Sequence, residues 1–180
     1  MPPEIPKPWA AFLNDLDRSL EEPVELHCLG GFVLTMLYGF ERPTADVDVL
    51  AVRPRIDLNL LAGIGSPLHK KHGVYLQLVT VLEAYPEDYE ERLTEMFPGT
   101  FGNLRLFGLD PYDLALTKLR RNSQRDREDV LYLAKAAPLN KETLRARYRE
   151  MRPLLANPER EDLTLKLWIE AIEEAQRGNS

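Results

Sequence analysis

The chain of 180 residues carries a single cysteine, Cys28, so no disulfide can close within it. That excludes a disulfide-stapled fold and suits a reducing compartment. Cys28 lies in an apolar run that reads as a strand, which favours a plain buried thiol over a nucleophile. No apolar stretch approaches the roughly 20 residues that span a bilayer, so no membrane partner is expected. Positive charge is not in excess: 23 Lys and Arg against 29 Asp and Glu leave a formal net charge of −6. Such a balance argues against indiscriminate binding of nucleic acid over the whole surface, though not against a local basic patch. The opening "MPPEIPKPWAAFLNDLDRSL" has no basic segment leading into an apolar one, so the expected location is cytoplasmic. His27, His69 and His72 show no metal-ligand spacing. Nothing resembles a Ser-His-Asp or Cys-His arrangement, and there are neither repeats nor low-complexity segments.

What is present reads as a small mixed sheet followed by helices. "WAAFLNDLDRSL" places Trp9, Phe12, Leu13 and Leu16 at helical spacing. "VELHCL" reads as a strand stopped by Gly30 and Gly31, and "FVLTMLYGF" as a helix ending near Gly39. "ADVDVLAV" is the second strand, 57–72 a helix broken at Gly63 and Gly65, and "GVYLQLVTVL" the third strand. "PEDYEERLTEMF" has the proline and early acids of a helix start, and "NLRLFGL" reads as a short fourth strand. From Asp110 the pattern is helical, in four segments that begin near Asp110, Ser123, Asn140 and Asn157. The tail "RGNS" is expected to be disordered. The division expected is an α/β core over 1–109 and a helical part over 110–176, packed as one compact unit. Trp9 and Trp168 are expected in the packing.

The chemistry concentrates on the second strand. Side chains alternate across a strand, so Thr44, Asp46 and Asp48 share one face while Ala45, Val47 and Val49 share the other. Carboxylates at i and i+2 lie about 7 Å apart along the backbone and can converge on one point. Like charges so close are costly unless one takes up a proton or a cation lies between them. Mg²⁺ (or Mn²⁺) suits a few carboxylates completed by water and phosphate oxygens. Alternatively, Asp46 and Asp48 face solvent on an edge strand. Gly30-Gly31 can bring backbone amides close to a phosphate at a helix N-terminus, or simply form a tight turn. Arg42, ahead of Pro43, can reach a triphosphate or cap the preceding helix.

The stretch "GGFVLTMLYGFERPTADVDVL" resembles the nucleotidyltransferase superfamily pattern: Gly-Gly, a helix, Arg-x-Thr, then Asp-hydrophobic-Asp-hydrophobic. "LDPYDLALTKLRRNSQRDREDVLYLA" resembles a second element, a Lys-bearing helix followed by an Arg-Asp…Asp helix. That element belongs to bacterial nucleotidyltransferase-like proteins related to abortive-infection type IV toxins. The resemblance covers roughly residues 25 to 175. It implies an α+β fold, a small mixed sheet with flanking helices and a C-terminal helical bundle. It implies Gly30 and Gly31 cradling the phosphates of a nucleoside triphosphate (NTP), with Arg42 and Thr44 beside them and Asp46 and Asp48 holding Mg²⁺. Lys118 would contact the phosphates and Asp126 would complete the second motif. The implied reaction is transfer of a nucleotidyl group to a hydroxyl on RNA or protein, with a toxin role and an antitoxin protein as partner. One departure stands out. Many active members carry a third carboxylate on a later strand, where this chain has Gln77 and Thr80 and no acid before Glu83. The alternative is therefore a catalytically silent member that binds nucleotide or protein.

Weighed without the resemblance, Asp126 and Asp129 fall on the apolar stripe of Val130, Leu133 and Ala134, so they need partners. They can be first-turn acids behind Ser123 as N-cap. Lys118 reads as a flanking lysine of the preceding helix, whose core face is Tyr112, Leu116 and Leu119. Arg120, Arg121, Arg125 and Arg127 either form a basic patch or pair with Asp126, Glu128 and Asp129. His69 and His72, beside Lys70 and Lys71, read as a solvated helix end that could also touch a nucleic-acid backbone.

Overall fold

A computed structural model of the chain describes residues 4–79 and 86–178. The first strand, β1 (Val24–Leu29), runs straight into α2 (Gly30–Tyr38), and β2 (Asp46–Arg53) returns antiparallel beside it. β3 (Tyr75–Leu78), β4 (Thr94–Met96) and β5 (Leu104–Gly108) complete a mixed sheet in the order β3-β2-β1-β5-β4. β2–β3 and β1–β5 are parallel, and β4–β5 is antiparallel. The fold class is α+β, a small mixed sheet with flanking helices and C-terminal helices, as the sequence leads one to expect.

The described residues fall into two units, 4–79 with 93–109 and 86–92 with 110–178. In the first, α1 (Trp9–Ser19) buries Trp9, Phe12, Leu13 and Leu16. They join Leu26 and Cys28 from β1, Phe32 and Val33 from α2, and Val47 and Val49 from β2. Trp9 meets the Phe32 ring edge-on at 4.9 Å. Asp17, near the end of α1, accepts hydrogen bonds from the amides of Asn103 (2.7 Å) and Leu104 (2.8 Å), which pins the start of β5. The broken helix of 57–72 resolves into α3 (Asn59–Ala62) and α4 (Pro67–His72).

In β2 the alternation slips once. The pairing passes from His27↔Ala51 to Cys28↔Val49, which leaves Leu50 as the extra residue of a bulge. The slip keeps Val52 on the buried side with Val47 and Val49. Across the bulge, Asp48 still pairs with Leu29 at the very end of β1.

One element departs from the sequence reading. Residues 86–97 do not form a helix but a 3₁₀ turn, Tyr89–Arg92, followed by β4. Two tertiary contacts override the local helical signals. Arg92 is drawn to Asp88 (2.8 Å) and donates to Asp113 (2.9 and 3.2 Å). Met96 pairs with Leu106 and is 2% exposed. Residues 80–82, the end of the third-strand reading, lie outside the described residues, as do Glu83 and the last two residues of the tail. Arg177, read as tail, is helical.

The second unit contains α5 (Pro111–Thr117), α6 (Gln124–Ala136), α7 (Lys141–Met151) and α8 (Pro158–Arg177). Asp110, Ser123 and Asn140 each cap a helix by accepting a backbone N–H, at Asp113, Asp126 and Glu142 respectively. Asn157, by contrast, precedes α8 without a side-chain cap. Trp168 is buried and donates its indole N–H to Asn122 (2.9 Å), which sits at φ 44°, a left-handed geometry that asparagine tolerates.

Candidate active site

Leu29 passes directly into the first turn of α2, and the turn is made at Gly30 with φ 75°. Because β2 lies alongside, Asp48 comes to rest against the same turn. A Cβ built on Gly30 would stand 2.4 Å from Asp48 Oδ2, closer than atoms can pack. The absent side chain is what lets the carboxylate reach the backbone there. A Cβ on Gly31 would meet Thr44 Oγ1 at 3.5 Å. Thr44 in turn donates to the Asp46 backbone carbonyl (3.1 Å) or its Oδ1 (3.2 Å). The fold thus brings together Gly30, Gly31, Thr44, Asp46 and Asp48.

Both acids are half-buried, whereas Val47 and Val49 are fully buried. β2 is not an edge strand, because β3 covers its outer side. The reading of Asp46 and Asp48 on an edge strand is thereby corrected as to the edge, while the valines do lie inward and the acids keep part of their surface in solvent. Directly beside Asp48 in register on β3 stands the exposed Gln77. Thr80 and Glu83 lie outside the described residues. Arg42 places its guanidinium over the Phe40 ring at 4.5 Å, in a loop held by the Thr35 hydroxyl donating to the Phe40 carbonyl (2.9 Å).

The donor set can be tested against a metal. Among the described residues no group of three or more His, Cys, Asp or Glu side chains is placed to hold an ion. Two half-buried carboxylates beside a helix N-terminus suit a hard cation that keeps water and takes phosphate oxygens, and do not suit zinc. The residues present therefore fit Mg²⁺ or Mn²⁺, provided that a substrate supplies further oxygens. α2 begins without a side-chain cap, leaving its first amides for an anion.

Residues 11–177 match the family described as nucleotidyltransferase of unknown function (DUF6036). The chain belongs to that family. No curated protein and no solved structure matches it. The matched region takes in both motifs, and no described helix is long and apolar enough to cross a membrane.

The second motif lies in the other unit and forms a cluster of its own. α5 ends at Thr117, so Lys118 occupies its C-cap instead of its flank. The lysine is not solvated. It is 6% exposed, with Nζ 2.9 Å from Asp129 and 3.9 Å from Asp126. Asp126 is fully buried and accepts from Arg121 Nε (2.8 Å) and Nη2 (2.6 Å), and from the Ser123 amide (2.9 Å) and hydroxyl (2.8 Å). Its own amide donates to Ser123 Oγ (3.1 Å), closing a capping box. Burial alone would raise its pKa, but Arg121 and the two Ser123 donors outweigh it and hold the carboxyl at about 2. Of the arginines in the turn, Arg121 is thus tied to Asp126, and Arg127 donates to the Asn122 carbonyl (2.7 Å).

The histidines are structural. His27 is buried with its ring edge-on to Phe107. His69 Nδ1 accepts from the Gly65 amide (2.8 Å). The reading of 69–72 as a solvated end fails at His72, whose ring, with Lys71, is fastened to Asp15 of α1 at 2.8 and 2.7 Å. Cys28 is fully buried; burial first, and then the charge of Asp48, push its thiol pKa up. Sequence reasoning missed the Asp15 clamp and the buried Asp113, which Arg92 and Arg147 enclose. The segment "DPYD" pointed only to a helix start at Asp110.

Proposed function

We propose that the first unit carries out Mg²⁺-dependent transfer of a nucleotidyl group from an NTP to a hydroxyl on RNA or protein. The observation that carries this reading is the Asp48 carboxylate lying over the bare Cα of Gly30, with Asp46 on the same strand face. In this reading the uncapped amides of Gly30 and Gly31 bind the triphosphate at the positive end of α2. Thr44 orients Asp46 through its hydroxyl, and Arg42 supplies positive charge at the start of β2. Asp46 and Asp48 would hold the cation, which when bound offsets charge on the phosphates during in-line attack. Lys118 and Asp126 belong to an ionic cluster with Asp129 and Arg121 that joins α5 to α6, and a contact of Lys118 with the phosphates rests on the resemblance. The RNA or protein acceptor, a toxin role and an antitoxin protein partner rest on the resemblance.

The test is incubation of the protein with labelled NTPs, Mg²⁺ and total RNA or cell extract. A labelled acceptor is expected with the wild type and is lost with Asp46→Ala. No acceptor, or equal labelling by the variant, would overturn the proposal. Gln77 beside Asp48, where a third acid would stand, favours a second reading: a member that binds nucleotide without turnover. Calorimetric binding of an NTP by a protein that labels nothing would select it.

A further inference from the structure

α8 buries one side and leaves an apolar pair on the other. Its inward stripe, including Leu165, Trp168 and Ile172, is buried, yet Leu163 and Leu167, one turn apart, remain 60% and 54% exposed. An outward helix face is ordinarily polar. The same outward face continues with Arg160 before Leu163 and Glu170 after Leu167, both exposed. Neither side chain makes an ion pair among the described residues.

We propose that this face joins two copies of the chain, α8 packing antiparallel against α8 of the second copy. The direction follows from charge. A parallel pair would set Arg160 on Arg160 and Glu170 on Glu170. Antiparallel, with the two-fold axis at the level of Leu165, each Leu163 meets a Leu167 and each Arg160 meets a Glu170. Every contact occurs twice, so the assembly closes at two copies. From Arg160 to Glu170 the helix advances about 15 Å. A contact of that length is small for a permanent complex, so the dimer exchanges with monomer as concentration changes. The dimer does not depend on the activity proposed above, and its test reads neither nucleotide nor acceptor.

Sedimentation equilibrium over about 10 µM to 1 mM tests it. The mass is expected to climb from the 20.7 kDa of one chain toward twice that value. Leu163→Glu with Leu167→Glu should hold the protein monomeric, with an unchanged circular dichroism spectrum because both positions face outward. Arg160→Glu and Glu170→Arg should each weaken association about tenfold, and the double exchange should restore it. A wild type that stays monomeric throughout overturns the proposal and leaves the two leucines to a different partner. So does a dimer indifferent to the leucine changes, or one that the double exchange fails to restore.

Discussion

Alanine at Gly30 would carry two separate costs. Its backbone sits at φ 75°, where a residue with a side chain loses about 1–2 kcal/mol. The added methyl would also displace the Asp48 carboxylate, which stands 2.4 Å from its position. Gly31, next to it, has neither problem: its Cβ would meet Thr44 at 3.5 Å, an ordinary contact, and alanine is the better helix former. Gly30→Ala is therefore expected to lose about 2 kcal/mol or more in urea unfolding and to lose Mg²⁺-dependent NTP binding. Gly31→Ala should remain within about 0.5 kcal/mol of wild type. Equal costs for the two would show that the approach of Asp48 to the turn is not tight. In the sequence these glycines are indistinguishable. The shared face of Asp46 and Asp48 was legible because strand side chains alternate, whereas Thr44 lies just before β2 and is tied to Asp46 by its hydroxyl. That Asp48, and not Asp46, abuts Gly30 depends on a pairing register that contains a bulge, and no local pattern sets that.

Helix starts were the most legible elements, because a cap is a local event. Ser123 and Asn140 accept the hydrogen bonds their positions suggest. Residues 86–97 failed for the opposite reason. A proline and early acids favour a helix by tenths of a kcal/mol, while pairing with β5 and the ion pairs of Arg92 outweigh that preference. α6 shows how much a cap can hold. Asp126 has its carboxyl lowered from the usual 3.8 to about 2, so it stabilises the fold where it is ionised in both states. That contribution is complete above about pH 5 and disappears as pH falls through the folded-state value. At about 1.4 kcal/mol per pKa unit it is on the order of 2 kcal/mol. Asp126→Asn should therefore be less stable by roughly that amount at pH 7, and the gap to wild type should close between pH 5 and pH 2. Chemical denaturation at several pH values reads it. A gap that does not change with pH would mean that the charge of Asp126 contributes nothing.

For the molecule as a whole, the one thiol is a reporter set in the middle of the sheet. Cys28 lies on β1, between β2 and β5, with no exposed surface. Its thiol is harder to ionise than an ordinary one, because of burial and then the charge of Asp48. The thiolate is the reacting form, so a thiol reagent in native buffer modifies Cys28 only when β1 opens. A ligand bound to Gly30, Asp46 and Asp48 must leave before the first unit opens, and mass action then lowers the open population by a factor of 1 + [L]/Kd. With Mg²⁺ and an NTP at about 100 times Kd, labelling should slow about a hundredfold, whether or not any transfer occurs. In Asp48→Asn the same addition should leave the labelling rate of that variant unchanged. Protection that survives in the variant would place the nucleotide elsewhere on the chain, and none in the wild type would leave the paired acids without a ligand.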